Sequence, residues 1–296
     1  MGYLLLVSIV WGLSIPLVKG QLTDLNPFFL GFARMALALP LFLPFLARVP
    51  VGAPVAWRLF GIGAVQYGFM YVCLFAAFRY LPAYQVALFT VTTPLFVALL
   101  ARELTRPQLL GAVGAAALAI LGAAVIQYQP GGASLASWKG FLLIQASNAA
   151  FAFGQVAYRS LRPRFAERAD HEVYAWLYLG AIAATLPFAA ALDGFASFAR
   201  LTPSSGITLV YLGVVASGLC FFWWNRGATR TRAATLAVFN NLKVPFAVLF
   251  SITLFGEYAP PGPLLAGALL LGAALYLAER FVRSPLPVTS EDDRKH

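Results

Sequence analysis

Apolar residues run along this chain in ten continuous blocks, separated by short stretches of proline, glycine and charge. The blocks fall at about 3–18, 27–46, 55–78, 82–101, 108–127, 139–158, 173–192, 206–224, 232–254 and 262–282. A helix needs roughly 20 apolar residues to cross a bilayer, so each block is near the length of one span. The blocks are rich in Leu, Ala and Gly and lack the alternation of a membrane β-barrel strand. A helix also satisfies its own backbone groups where no water is present. The pattern therefore predicts an all-α integral membrane protein with ten transmembrane helices. The first block has no basic stretch before it and no small-residue cleavage site after Val18, so it reads as a span and not as a removed signal.

Composition narrows the function classes. Of 296 residues, 60% are hydrophobic and 11% charged, against about 45–50% and about 25% in an ordinary soluble domain. A water-soluble globule of this length could not bury so much apolar surface. Soluble enzymes, nucleic-acid binders and disordered chains are excluded together. The net charge of +10 is explained by where the cations lie. With the N-terminus in the cytoplasm, 15 of the 21 Lys and Arg fall in inside loops and span ends, Arg159, Arg162, Arg164 and Arg168 among them. Only Lys19, Arg79, Lys139 and Arg200 fall outside, and Arg34 and Lys243 lie within spans. This is the positive-inside pattern. It places both termini in the cytoplasm and the chain in the cell inner membrane. The expected partners are the lipid bilayer and a small-molecule substrate, with no nucleic acid. Cys73 and Cys220 lie inside apolar blocks without metal-type spacing and read as small core residues.

The chain matches itself at a spacing of about 150 residues. FRYLPAYQVALFTVTTPLFVALLARE (78–103) aligns with ATRTRAATLAVFNNLKVPFAVLFSITLFGE (228–257), with Pro94 on Pro245, Thr92 on Lys243 and, after a short gap, Glu103 on Glu257. Upstream, Gly68 corresponds to Gly218. The organisation is a first five-helix repeat at 1–129, a linker at 130–136, a second repeat at 137–283 and a cytoplasmic tail at 284–296. Five is odd, so the second repeat must enter the membrane inverted. Inverted repeats that meet at a midplane site are a transporter architecture suited to alternating access.

These residues resemble a known family. VWGLSIPLVK near the start, NPFFLGFAR with Arg34, and the half-endings Pro94…Glu103 and Pro245…Glu257 are similar to the drug/metabolite transporter superfamily. The nearest branch is the EamA type, ten helices in two five-helix repeats, and the resemblance runs from Trp11 to about Leu277. It implies export of small metabolites such as amino acids, amines or drugs. The aromatic share is similar to that of the aromatic amino-acid exporters in that superfamily.

Polar groups at membrane depth tend to face a cavity or a packing partner. Lys243 sits mid-block beside Asn240 and Asn241, and Asn240 shares its helix face. It would either meet a substrate carboxylate or phosphate, or titrate, or reach backbone carbonyls and hold the bundle together. In the first half, Thr90, Thr92 and Thr93 stand where the second half has NNLK. Arg34 matches an arginine of the family and reads as a bridge between helices. Gln145, Asn148 and Gln155 share one face of the sixth block, either as pore lining or as interhelical hydrogen-bonding residues; the cavity reading is preferred for Asn148 and Gln155. Trp11, Tyr67, Tyr71, Tyr84 and Trp223/Trp224 could box an aromatic or cationic group, or form interfacial belts and packing. Trp11 and Tyr71 are the cavity candidates. Pro94 and Pro245 remove backbone hydrogen bonds at matching places, as bending points or as static kinks.

Acids lie only in loops, at span ends or in the tail, and His171 and His296 are likewise outside the spans. A proton relay of buried carboxylates is therefore not expected. No P-loop, HExxH or GxSxG occurs. Catalytic residues, a metal and a cofactor are not expected. The reading is a secondary transporter, not an enzyme, that exports amino acids (aromatic or other neutral) by uniport or exchange, one copy being sufficient. Lys243, Asn240 and Asn241 take the polar end of the substrate, and Trp11, Tyr71, Asn148, Gln155 and Thr92 shape the rest. A carrier of phosphorylated or nucleotide-linked sugars would want a second cation at depth, for which only Arg34 is available. A membrane-embedded lipid-carrier enzyme would need reactive groups such as Glu167, Asp170 and His171, which sit in an arginine-rich loop.

Overall fold

The computed structural model describes residues 2–46, 51–101, 106–127, 135–231 and 233–282. Among them all regular structure is helical and no strand occurs. The segments are α1 (Gly2–Gln21), α2 (Pro27–Ala38, with short turns Leu39–Leu41 and Leu43–Leu46), α3 (Ala53–Ala77), α4 (Ala83–Phe89 and Thr93–Ala101) and α5 (Arg106–Gln127). Then come α6 (Leu135–Leu161), α7 (Asp170–Ala191), α8 (Pro203–Arg230), α9 (Ala233–Phe255) and α10 (Pro261–Val282). By length and composition α1, α3, α6, α7 and α8 suffice to cross a membrane, and the others carry shorter apolar helices. The expected tail and residues 130–134 of the expected linker lie outside the described residues; Leu135 and Ala136 already belong to α6.

Local chemistry sets the helix ends. Asn26 accepts the Phe28 amide (2.9 Å) ahead of Pro27, and Thr202 accepts the Ser205 amide (3.2 Å) ahead of Pro203. Both are side-chain caps followed by a proline that has no N–H to orphan. Glu257 caps a helix distant in sequence: its carboxylate accepts the amides of Ala83 (2.8 Å) and Tyr84 (3.0 Å) at the start of α4. Two orphan donors and the positive end of the helix dipole are satisfied at once.

Packing follows a pattern. α1 lies along α9 and α6 along α4, α3 packs on α7 and α8 on α2, and α5 packs along α10. Glycines allow the closest approaches. A Cβ on Gly63 of α3 would lie 1.9 Å from the Leu177 carbonyl oxygen of α7, and one on Gly180 of α7 would lie 1.9 Å from that of Phe60.

Regular α-geometry is interrupted at matching places. α3 widens to a π-helix at Ala64–Phe69, and α8 does so at Leu212–Leu219. α4 tightens to a 3₁₀ turn at Thr90–Thr92, just before Pro94. α9 remains α-helical through Pro245. Such interruptions expose backbone carbonyls, and side chains from other helices reach them.

Candidate functional site

The interruption in α4 illustrates how the sequence builds the site. Pro94 has no N–H to donate to the Thr90 carbonyl, and the Thr93 hydroxyl takes that acceptor instead (2.8 Å). The Thr93 amide bonds to Thr90 in the tightened turn, which leaves the Phe89 carbonyl free to accept Asn148 Nδ2 at 2.9 Å. In the π-helical stretch of α8, the Ala216 carbonyl accepts Trp11 Nε1 (2.8 Å), and the carbonyls of Ser217 and Gly218 accept the Tyr178 hydroxyl (2.9 and 3.0 Å). Irregular backbone in a lipid-soluble fold is tolerated only where protein or a cavity covers it.

A cavity opens between these elements, with ≈ 650 Å³ of unfilled space including its open side. Trp11, Tyr71, Phe75, Phe151 and Phe221 supply aromatic walls, and Ser14, Thr90, Thr93, Ser147 and Asn148 supply neutral polar groups. Two cations, Arg34 and Lys243, also line it, and among the described residues no Asp or Glu does. Trp11 is fixed edge-on to Phe221 (5.4 Å) and Phe151 (5.9 Å), besides its hydrogen bond to α8. Lys243 donates from Nζ to Asn240 Oδ1 (3.0 Å), and its ammonium stands 5.6 Å from the centre of the Trp11 ring. Arg34 is 3% exposed, donates from Nε to Ser217 Oγ (2.9 Å) and lies over Tyr71 at 4.7 Å.

Of the residues expected at the site, Lys243, Trp11, Tyr71 and Asn148 line this one cavity. Asn240 and Asn241 stand behind Lys243, bonded to each other at 3.2 Å, and Asn241 Nδ2 is buried without a partner. Thr92 and Gln155 are placed elsewhere. The Thr92 hydroxyl donates to Gln145 (2.6 Å), accepts from Asn148 (3.0 Å) and faces a small pocket against α5 and α10. Gln155 accepts the Trp224 indole (2.9 Å), so the polar face of α6 divides. Asn148 meets the cavity, whereas Gln145 and Gln155 are spent on joining helices. Trp224 is 1% exposed and therefore no belt residue.

Sequence reasoning did not find Phe151, Phe221, Ser147 and Phe75 as lining residues. Their aromatic or small character does not distinguish them from packing residues, and only the irregular backbone near them hints at a cavity. Tyr67 goes to a separate buried network. Gln66 and Asn225 bond each other (2.8 Å), Asn225 donates to Tyr67 (2.8 Å), Tyr67 bonds Tyr174, and Tyr174 donates to the Phe221 carbonyl (2.6 Å). Of the residues that a lipid-carrier enzyme would need, Glu167 is exposed, and Asp170 and His171 make structural contacts. Asp170 holds Arg162 (3.0 Å) and Tyr158 (2.7 Å), and His171 packs edge-on to Phe45. Among the described residues no three His, Cys, Asp or Glu approach closely enough to hold a metal. Cys73 and Cys220 are buried and free.

Similarity to known proteins extends over the full architecture. The description of the EamA-like transporter family fits residues 1–128 and again 138–278. A "Biotin transporter" of Escherichia coli K12 is 33% identical over 300 residues, spanning 100% of this chain and 98% of its own. A "Probable biotin transporter" of Pseudomonas aeruginosa is 36% identical over 292 residues, spanning 96% of this chain and 100% of its own. A "Probable amino-acid metabolite efflux pump" of Salmonella typhimurium is 29% identical over 291 residues, 93% of each chain. An apolar helical chain, a polar-and-aromatic cavity among its helices and a family match over both halves lead to one conclusion: the chain is a membrane protein that belongs to the EamA-like transporter family, within the drug/metabolite transporter superfamily.

Proposed function

We propose that this chain is an inner-membrane carrier for biotin or a closely similar small carboxylate with an apolar body. One observation carries the reading: Lys243 and Arg34 line one cavity whose other walls are apolar, aromatic and neutral polar, with no acidic side chain among the described residues that line it. A buried ammonium without a carboxylate partner favours an anionic guest. Biotin combines a terminal carboxylate with an apolar chain and ring, and a neutral ureido group that wants hydrogen-bonding partners. Lys243, backed by Asn240 and Asn241, suits the carboxylate; Trp11 and Tyr71 suit the apolar body, and Asn148 the ureido group. The two relatives named as biotin transporters support that substrate over an amino acid.

In this reading ten spans form two inverted repeats, 1–129 and 137–283, with both termini in the cytoplasm. The packing pairs support it: exchanging α1–α5 for α6–α10 turns the α1–α9 contact into α6–α4, and α3–α7 into α8–α2. The π-helical stretches of α3 and α8 exchange as well, and the family description fits once per half. Alternating access then rocks these halves about the cavity. Pro94 and Pro245 are the bending points, with the 3₁₀ turn at Thr90–Thr92 favouring Pro94 as the softer one.

Uptake of labelled biotin into liposomes containing the purified protein tests the reading. Expected is saturable flux, absent from protein-free vesicles and competed by unlabelled biotin. With no carboxylate lining the cavity, flux is expected without a pH gradient. Flux of labelled aromatic amino acids with none of biotin would restore the amino-acid reading, which the efflux-pump relative favours.

A further inference from the structure

We propose that Arg34 is a substrate-binding residue: its guanidinium joins Lys243 in making the carrier prefer an acid to the corresponding amide, and Ser217 and Tyr71 hold it in position. This deepens the carrier reading above and rests on it.

Arg34 reads from the sequence as a bridge between helices, which would only tie α2 to its neighbours. The geometry points further. It is 3% exposed, yet among the described residues no carboxylate forms an ion pair with it. Its one hydrogen bond among the described residues leaves from Nε to Ser217 Oγ (2.9 Å). Nη1 and Nη2 have no acceptor there, neither is a sealed, unsatisfied atom, and Arg34 is one of the residues that line the cavity. A purely bridging arginine would spend those outer nitrogens on acceptors of the helices it joins.

The mounting is rigid. Ser217 Oγ holds Nε and also shares a hydrogen bond with the Tyr71 hydroxyl (3.0 Å). The guanidinium lies over the Tyr71 ring at 4.7 Å from its centre, with the Phe75 ring centre at 5.8 Å. Fixed from the Nε side and from one face, the group presents its Nη1/Nη2 end, which matches the two oxygens of a carboxylate. Lys243 enters the same cavity from α9 as a point charge held by Asn240. The two cations share one anion, with Arg34 supplying direction. Loss of a charge-assisted contact of this kind corresponds to about a tenfold or greater change in affinity.

The test compares binding of biotin and of its carboxamide to the purified full chain in detergent, with wild type and the R34Q and S217A variants. Wild type is expected to prefer the acid by about tenfold or more. R34Q is expected to lose a large part of that preference, its affinity for the acid falling far more than its affinity for the amide. S217A, which frees Nε, is expected to lose part of it. A merely structural arginine would change stability and both affinities together, leaving the acid-to-amide ratio where it was; that outcome in R34Q overturns the proposal. If R34Q does not fold, R34K decides, because an ammonium cannot present the fork, and an unchanged ratio in R34K is equally fatal. Equal wild-type binding of acid and amide defeats the Arg34 role but leaves biotin as substrate. Binding of neither defeats the biotin reading. Other monocarboxylates and their amides are then compared, and no acid preference in that series defeats the Arg34 role too.

Discussion

Removing the Lys243 side chain beyond Cβ takes an ammonium from the cavity wall and leaves Asn240 Oδ1 without its 3.0 Å donor. It also leaves the Trp11 ring face without the cation 5.6 Å away. If the ammonium meets a substrate carboxylate, the lost interaction is about 1.5–3 kcal/mol, or roughly a tenfold to hundredfold loss in kcat/KM for uptake. K243A is expected to show that loss in proteoliposomes while remaining monodisperse in detergent. Transport unchanged for every substrate tried would assign Lys243 to packing alone. Gln155 is the instructive contrast. In the sequence it looked as suited to a cavity as Asn148, because both lie on one face of α6. Whether a carboxamide faces solvent or a neighbour depends on what the facing helix offers, and α8 offers the Trp224 indole at 2.9 Å. No spacing rule within α6 contains that information.

At the scale of elements, glycine decides how closely helices approach. Gly61 and Gly63 are two residues apart on α3 and differ sharply. Nothing lies within 4 Å of a Cβ on Gly61, whereas one on Gly63 would collide with the Leu177 backbone at 1.9 Å. Backbone cannot swing aside as a side chain does, so G63A must push α7 away. It is expected to destabilise by about 1–3 kcal/mol or more, read as a lower melting midpoint in detergent, with G61A close to wild type. Equal midpoints would mean that α3 and α7 do not approach as described. Element boundaries were largely legible beforehand: most apolar blocks end within a few residues of the observed helices, because proline caps and charge mark the ends. The π-helical stretches at Ala64–Phe69 and Leu212–Leu219 were not legible. An inserted residue in a helix is stabilised by what packs against it, such as the Trp11 and Tyr178 donors on α8.

For the whole molecule, the cation distribution predicts sidedness. Glu167 and Ser204 are both exposed, at the start of α7 and of α8, opposite ends of one helical hairpin. E167C is expected to react with a membrane-impermeant maleimide only after the inner face is opened. S204C is expected to react in intact cells. Cys73 and Cys220 are buried and give little background. The reverse pattern would overturn the orientation.

The chain's own sequence determined the helical class, the number of apolar blocks, the duplication and the sign of the deep charges. These follow from rules that act locally: a bilayer has a fixed thickness, a buried backbone must bond to itself, and cations are retained on one side. Tertiary structure alone decided which polar groups share a cavity. Trp11, Arg34, Tyr71, Asn148 and Lys243 come from five different helices and meet only because α1 lies along α9, α2 against α8 and α4 against α6. It also decided that Arg34, which joins α2 to Ser217 of α8, keeps two nitrogens without an acceptor among the described residues, since a side chain's free valences are counted only once its neighbours are in place.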